Sequence, residues 1–244
     1  KLYDMQIIET GGKIDNTKIF TTETRVKAAR GNILDANGNV LVANRASYDL
    51  VFNNFVLTNS GKANEHLLRL VEMADRLGVE YIENFPITET RPYEYTLAQQ
   101  SAAWQGYFQD YLWELDIDSD ISASRLMEAL LSRYKIPDDW TDEEARAVIG
   151  LRYEFDLRGV TNLSNYVFIE DVSEEHLATL LELNIPGLMV ESSTVREYYT
   201  TYAAHILGYM GAMDDKEWAV FKEKGYAMDA HVGQSGFEEA FEDE

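Results

Sequence analysis

The chain has 244 residues, 45% of them hydrophobic and 12% aromatic, which is enough for one large or two modest domains with a filled core. Its formal net charge of −22 is far from the positive charge that a nucleic-acid-binding protein offers to phosphate groups. The absence of cysteine from the sequence excludes thiol nucleophiles, disulfide bonds and cysteine metal ligands.

β-Structure is predicted near the start of the chain. Residues 22–27 are rich in strand-forming residues, and residues 40–42 and 48–52 indicate two further short strands. Asn37-Gly38 is the strongest turn signal in the sequence, because both residues tolerate positive φ. We therefore expect a tight hairpin that uses the freedom of Gly31 and Gly38, with Asn37 at positive φ.

From about residue 62 to residue 158 the apolar spacing is helical. One predicted helix ends at Gly78, a second begins at Ser122, and a third opens with a capping box at Thr141. An aromatic stripe at helical spacing indicates a buried helix face rather than a ligand site, and comprises Trp104, Tyr107, Phe108, Tyr111 and Leu112.

After Gly159 strands and helices alternate. Residues 166–169 and 188–190 are predicted strands, and helices are capped by Ser173 and Asp214. The sequence thus predicts an α+β fold. In this arrangement a β-containing core is built from both chain ends, residues 21–61 and 159–244, and a helical lobe of residues 62–158 is inserted between them.

Several local patterns resemble chemical sites without the partners that such sites need. Ser132 and Lys135 match S-x-x-K, but the serine lies near a predicted helix end, and no S-x-N, K-T-G or K-S-G follows. The acidic run of residues 116–120 lacks the glycine and glutamate of a calcium loop, and the four histidines lack ligand spacing. We expect no catalytic residue, no metal and no cofactor.

Three separated segments form a pattern of another kind, RGNILDANG at residues 30–38, REY…AAHILGYMG at residues 196–211, and GY…D…GQSGFE at residues 225–238. In order and spacing they resemble the non-catalytic N-terminal module, the pedestal or dimerisation domain, of class B penicillin-binding proteins. The chain departs from the family at residues 199–201, Tyr-Thr-Thr, where a proline and a glycine are usual.

The resemblance implies that these motifs meet in an interdomain polar network beneath a transpeptidase domain. Its expected members are Arg30, Asp35, Arg196 and Glu238. Turn or packing roles are expected for Gly31, Asn37, Gly38, Tyr198, His205, Gly208, Gly233 and Gly236, with His205 packed and hydrogen-bonded rather than a ligand or base. The alternative is that the four network residues serve only turns and caps and do not meet.

The family also implies a function. The parent would be a D,D-transpeptidase that cross-links peptidoglycan through an acyl-serine, and this module would hold that domain away from the membrane without doing chemistry. A membrane helix would precede residues 1–20, a juxtamembrane remnant, and would anchor the module at the extracytoplasmic face of a bacterial membrane. Expected partners are the transpeptidase domain, a polytopic cell-wall glycosyltransferase, scaffold proteins and a second copy. The alternative is a free-standing extracytoplasmic scaffold or adhesion domain that has no transpeptidase.

Overall fold

A computed structural model describes residues 30–161, 163 and 165–242. The predicted strand at residues 22–27 and the juxtamembrane remnant at residues 1–20 lie outside these residues. The strands are β1 (Ile33–Leu34), β2 (Val40–Phe52), β3 (Val167–Ile169), β4 (Leu188–Tyr198), β5 (Met210–Ala212) and β6 (His231–Gly233). The helices are α1 (Asn54–Asn59), α2 (Ala63–Leu77), α3 (Ala102–Glu114), α4 (Ala123–Tyr134), α5 (Asp142–Val160), α6 (Glu174–Leu181), α7 (Ala204–Leu207), α8 (Asp215–Phe221) and α9 (Gly236–Ala240).

The main sheet is built around β2. β4 lies antiparallel along one side of β2, from the pair Val42–Tyr198 to the pair Phe52–Leu188, while β1 and β3 pair with opposite ends of its other side. β5 and β6 form a separate two-stranded sheet. The two short strands predicted at residues 40–42 and 48–52 are therefore one strand of 13 residues. Polar residues in the middle of β2 interrupt the alternation of apolar and polar residues by which a strand is recognised in sequence. Pairing with β4 holds these polar residues in the extended conformation.

The predicted hairpin is present, but its turn differs from the prediction. The N–H of Gly38 donates to the carbonyl of Asp35 at 3.0 Å, and the N–H of Asp35 donates to the carbonyl of Asn39 at 2.9 Å. Gly38 has φ of +85°, whereas Asn37 has no positive φ. This pattern is a three-residue loop in which a type I turn is followed by glycine in the left-handed region, so glycine alone needs positive φ.

The helices begin and end largely where local chemistry predicted. The side chains of Ser122, Thr141, Ser173 and Asp214 each accept a backbone hydrogen bond at a helix start, and Thr141 and Asp214 form capping boxes. Gly78 ends α2 in the left-handed conformation. Helices occupy most of residues 54–160, between β2 and β3, and the α+β class is confirmed.

The helices and the main sheet share a hydrophobic core. The predicted aromatic stripe supplies Tyr107, Phe108, Tyr111 and Leu112, all buried, with Trp104 partly buried beside them. Phe52 of β2 contacts the rings of Phe155 in α5 and of Tyr166 and Phe168 around β3. None of the helices in the described ranges combines the length and apolar character that crossing a bilayer requires.

Candidate functional site

A buried carboxylate lies where the three sequence motifs meet. Glu238 is in the first turn of α9, and its side chain is only 1% exposed. A carboxylate removed from water is costly unless charged or polar partners satisfy its oxygens. The partners of Glu238 come from two distant parts of the chain, and together they form what we call the Glu238 cluster: Arg30, Asn44, Arg196, Tyr198, Glu238 and Glu242.

Arg30 connects the start of the hairpin to both acidic residues of the cluster. Its Nε donates to Oε2 of Glu238 at 2.5 Å, and its Nη2 donates to the Glu238 backbone carbonyl. Its Nη1 donates to Oε2 of Glu242 at 2.6 Å. Burial acts to lower the pKa of Arg30, but hydrogen bonds and attraction from Glu242 and Glu238 outweigh it and raise the pKa above its ordinary value.

Arg196 reaches the other oxygen of the same carboxylate from β4. Its Nε donates to Oε1 of Glu238 at 2.8 Å, and its Nη1 donates to the Gly31 carbonyl at 2.7 Å and to Oδ1 of Asn44 at 3.1 Å. Asn44 is the residue of β2 that pairs with Arg196, and its Nδ2 donates to the Arg30 carbonyl. Strand pairing therefore places the second arginine beside the segment that carries the first.

The cluster balances two arginines against two glutamates. Glu242 is also bound by the N–H of Gly233 at 2.8 Å, and the hydroxyl of Tyr198 donates to Oε1 of Glu238 at 3.4 Å. Both carboxylates are therefore engaged by guanidinium groups, Glu238 by two and Glu242 by one. The arrangement connects the hairpin, the β2–β4 ladder and α9 through ion pairs and hydrogen bonds. We therefore describe the Glu238 cluster as a structural joint.

Asp35, a predicted member of the network, does not contact Arg30. Its carboxylate Oδ1 accepts hydrogen bonds from the N–H groups of Asn37 and Asn39, both at 2.8 Å, and its Oδ2 accepts from Asn39 Nδ2 at 2.7 Å. Hydrogen bonds from Asn39 and then from the nearby backbone lower the pKa of Asp35, which is exposed. The prediction was wrong because an aspartate before a turn binds its own loop more readily than a distant arginine.

Three motif glycines allow backbones to approach closely at the base of the cluster. A Cβ at Gly208, which has φ of +84°, would lie 1.7 Å from the carbonyl oxygen of Ser235. A Cβ at Gly233 would lie 2.0 Å from the Glu238 carbonyl, and one at Gly236 would lie 2.4 Å from the Ile206 carbonyl. Only glycine fits such contacts, so α7, β6 and α9 pack backbone to backbone.

Two other motif residues lie differently from the prediction. A Cβ at Gly31 would meet open space, and the residue has no positive φ, so the hairpin does not need glycine there. His205 is exposed, so its predicted packing was wrong. The physical reason is that α7 has only four residues and turns Leu207 toward the interior instead.

The patterns judged coincidental also lie apart from the cluster. Ser132 is exposed in the last turn of α4, and Lys135 ends that helix in the left-handed conformation rather than standing one turn after a helix start. Histidine, aspartate and glutamate side chains in the described residues form no group of three or more that could hold a metal ion.

Sequence reasoning missed Asn44 and Glu242. Asn44 occupies the middle of β2, where nothing local distinguishes it from a solvent-facing strand residue. Glu242 follows Glu238 by four positions, and this helical spacing could have suggested that the two carboxylates share a face. That signal was weak, because the end of the chain is acidic throughout.

The helical region contains a second set of hydrogen-bonded polar groups, partly buried, that the sequence did not indicate. The hydroxyl of Tyr134 donates to Oδ2 of Asp156 at 2.9 Å, and it lies 2.8 Å from the hydroxyl of Tyr111. Burial raises the pKa of Asp156, with the Tyr134 hydrogen bond and the charges of Arg133 and Arg152 acting in the opposite direction. This chain of contacts ties α3, α4 and α5 together.

The α+β fold and the buried joint describe a structural module, and comparison with known proteins gives its family. The family model for the penicillin-binding protein dimerisation domain matches residues 25–244. The chain belongs to this family.

Solved structures give further similarities of fold. Penicillin-binding protein 2B from Streptococcus pneumoniae strain 5204 is 20% identical with a TM-score of 0.44, and the match covers 89% of this chain and 34% of that chain. Penicillin-binding protein PBP2 from Helicobacter pylori, in complex with MreC, is 15% identical with a TM-score of 0.35, and the match covers 87% and 27%. This chain thus spans about a third or less of the length of those proteins. A search of curated proteins gives no match.

Proposed function

We propose that this chain is the non-catalytic N-terminal module of a class B penicillin-binding protein and positions a D,D-transpeptidase domain for peptidoglycan cross-linking. The observation that carries the proposal is the Glu238 cluster, which joins the three motifs through a buried carboxylate and two arginines. In the proposal the transpeptidase domain carries out the acyl-serine chemistry, and this module holds that domain in place.

The main sheet suits a positioning role. β2 and β4 pair over eleven consecutive residues without a register shift, which is a ladder about 35 Å long at roughly 3.3 Å per residue. At one end the ladder is fixed to α9 by Arg196 and Glu238, and at the other it packs into the aromatic core around Phe52. A ladder held at both ends resists bending, so it can keep a domain at a set distance from a membrane.

In the proposal, different parts of the chain have different roles. Residues 21–61 and 159–244 would form the pedestal, residues 62–158 would form the lobe that contacts partners, and residues 1–20 would lie next to a membrane anchor at the extracytoplasmic face. Partners would be a polytopic cell-wall glycosyltransferase, scaffold proteins and a second copy. Trp113 on α3 supports a contact role for the lobe, since its side chain is 80% exposed and exposed tryptophans often anchor interfaces.

The test uses an antibody raised against this chain. Membranes of the source cells are labelled with a fluorescent β-lactam, and the native protein is precipitated. We expect a labelled band much larger than 27.9 kDa, and we expect an excess of unlabelled β-lactam to abolish the signal. The purified chain, with Ser132 or with Ser132→Ala, serves as the matched control and should take up no label.

Two results would contradict the proposal. An unlabelled band near the mass of the chain would favour a free-standing scaffold or adhesion domain that keeps the fold without an enzyme. Acylation of the purified chain that is lost in Ser132→Ala would place a nucleophile in the module itself.

A further inference from the structure

One side of α3 faces away from the hydrophobic core. Trp113 follows Trp104 by nine positions, which at roughly 100° per residue places it on the side of the helix opposite the aromatic stripe. The side chain of Trp113 is 80% exposed. Tryptophan is large and, on average, highly buried in folded proteins. Its exposure here therefore needs an explanation other than core packing.

The surroundings of Trp113 are acidic. Between Arg91 and Arg125 the sequence has six acidic residues and no lysine or arginine. Five of the six lie within seven positions of Trp113 and are exposed: Asp110, Glu114, Asp116, Asp118 and Asp120. Among residues 30–161, 163 and 165–242, no salt bridge engages any of these five carboxylates. Their charge is therefore balanced by no neighbouring cation in the described part of the chain.

This arrangement is unfavourable for the helix itself. Glu114 is the last residue of α3, and the N–H of Asp116 donates to the Trp113 carbonyl at 3.0 Å, so both carboxylates lie at the C-terminal end of the helix. The helix dipole favours cations at that end, and α3 has no basic residue in its last turn. The acidic residues thus lower the stability of the helix that carries them.

Gly106 adds a second unfavourable feature on the same side. It precedes Trp113 by seven positions, which is two helical turns, and it is exposed. Glycine in a helix interior is less stable than alanine, yet a Cβ at Gly106 would meet open space, so packing within the chain does not require it. A missing Cβ does allow another chain to approach the helix closely. Binding, rather than folding, accounts for these features together.

The chemistry of this surface indicates the group that it binds. The face of an exposed indole attracts a cation, and the carboxylates beside it attract the same cation. A guanidinium group suits both, since it is planar, stacks on aromatic rings and pairs with a carboxylate through two hydrogen bonds, whereas an ammonium group is a point charge. Tryptophan and arginine are also the residues that most often dominate the binding energy of protein interfaces.

We propose that the outer face of α3, formed by Gly106, Gln109, Asp110 and Trp113, binds an arginine-bearing segment of another protein. The guanidinium group lies over the indole of Trp113, and the acidic residues around the helix end pair with it. The inference rests on the proposed function in one respect, because it names the chemistry of a partner that the helical lobe contacts. The two are tested separately, since binding is measured on this chain alone and β-lactam labelling on the native protein.

NMR of the nitrogen-labelled chain tests where the guanidinium binds. The chain has four tryptophans, and Trp113→Phe identifies which indole N–H signal belongs to Trp113. The probe is the blocked peptide Gly-Arg-Gly-Arg-Gly, and its matched control replaces each arginine with citrulline, which keeps the shape and lacks the charge. We expect the arginine peptide to shift the Trp113 signal to saturation, and the citrulline peptide to leave it in place.

Fluorescence anisotropy of the same peptide, carrying an uncharged dye, gives the affinity for each variant. Trp113→Ala should weaken binding by roughly two- to fivefold. Glu114→Gln combined with Asp116→Asn should weaken it by roughly threefold or more, while raising the midpoint of thermal unfolding because the helix end loses two unfavourable charges.

Asp138→Asn combined with Asp139→Asn is the control for charge alone. Both residues are exposed and precede α5, so the pair removes the same two charges away from α3. Peptide binding should then change by less than about twofold.

Four results would overturn the inference. They are no shift of the Trp113 signal, equal shifts of all four indole signals, equal weakening by the two charge-removing pairs, and unchanged affinity in Trp113→Ala. A larger shift with choline chloride than with the arginine peptide would also overturn it, by assigning the face to a lipid headgroup. Circular dichroism of each variant checks that the fold is kept.

Discussion

Arg196 and Glu238 are 42 positions apart in sequence, yet Nε of Arg196 donates to Oε1 of Glu238 at 2.8 Å, with both side chains at most 10% exposed. The pair joins the main sheet to α9. The remaining oxygen of Glu238 binds Arg30, so one carboxylate connects the hairpin, the sheet and the last helix. If this joint positions a further domain, its integrity should matter more than that of any surface ion pair.

A double-mutant cycle measures how strongly Arg30 and Glu238 are coupled in the free energy of unfolding. Glu238→Ala should lower the free energy of unfolding by roughly 3–5 kcal/mol, because two partly buried arginines lose their shared partner. Arg30→Ala should cost less, because Arg196 still neutralises Glu238. The double variant should be far less destabilised than the sum, with a coupling of roughly 0.5–3 kcal/mol by urea denaturation.

Asp35→Ala is the matched control for this cycle. Asp35 is a charged residue of the same hairpin, but it binds its own loop and not the cluster. Combined with Glu238→Ala, its effect should add within about 0.5 kcal/mol. Additivity in the Arg30 cycle, or strong coupling in the Asp35 cycle, would contradict the arrangement described.

Gly208 and Gly31 differ in the space around them, and this difference gives a second prediction. Gly208→Ala should destabilise the chain by about 3 kcal/mol or more, since the new Cβ meets the Ser235 carbonyl and the residue must keep positive φ. Gly31→Ala should change stability by no more than about 0.5 kcal/mol, because its Cβ would enter open space. Thermal or urea unfolding distinguishes the two, and equal effects would refute the close approach of α7 to α9.

Two buried tyrosines should respond oppositely to removal of the hydroxyl. Tyr166 donates to the Ile82 carbonyl, so Tyr166→Phe should cost about 1–2 kcal/mol. The hydroxyl of Tyr153 is buried and has no hydrogen-bond partner among the described residues, so Tyr153→Phe should be neutral or slightly stabilising. Equilibrium unfolding of both variants decides this, and a larger loss for Tyr153→Phe would show that its hydroxyl has a partner.

The partly buried carboxyl of Asp156 predicts a dependence of the folding stability on pH, and the sign of that dependence follows from the direction of the pKa shift. Burial raises the pKa of Asp156, so ionisation of its carboxyl carries a cost in the folded chain that it does not carry in the unfolded chain. As the pH falls through its raised pKa, the folded chain binds a proton first, and this relieves the cost. The stability advantage of Asp156→Asn over the unmodified chain should therefore be largest at neutral pH and shrink toward about pH 4. An advantage that grows on acidification would indicate a lowered pKa instead.

Features fixed by neighbouring residues were predictable from the sequence. The caps at Ser122, Thr141 and Ser173 need only residues within one helical turn, and the structure confirms all three. The same local chemistry explains the error at Asp35, where short-range hydrogen bonds satisfy a side chain that the motif had assigned to a distant partner.

Features that depend on strand pairing were not predictable. The joined length of β2 and the place of Asn44 in the cluster follow from the register of β2 against β4, which are separated by more than a hundred residues. Arg30, Arg196 and Glu238 were expected to meet only because the motifs resemble a known family, and the structure brings these three together. Periodicity and capping signals carry no information about such contacts.

The most direct test of the central claim is to locate the β-lactam adduct in the native protein. The labelled, antibody-precipitated band is digested, and its peptides are mapped by mass spectrometry. The account predicts peptides of this chain together with an adduct on a serine outside residues 1–244 of the same polypeptide. An adduct on a serine within these residues, or a polypeptide with no adduct, would contradict the assignment of this chain as the positioning module of a transpeptidase.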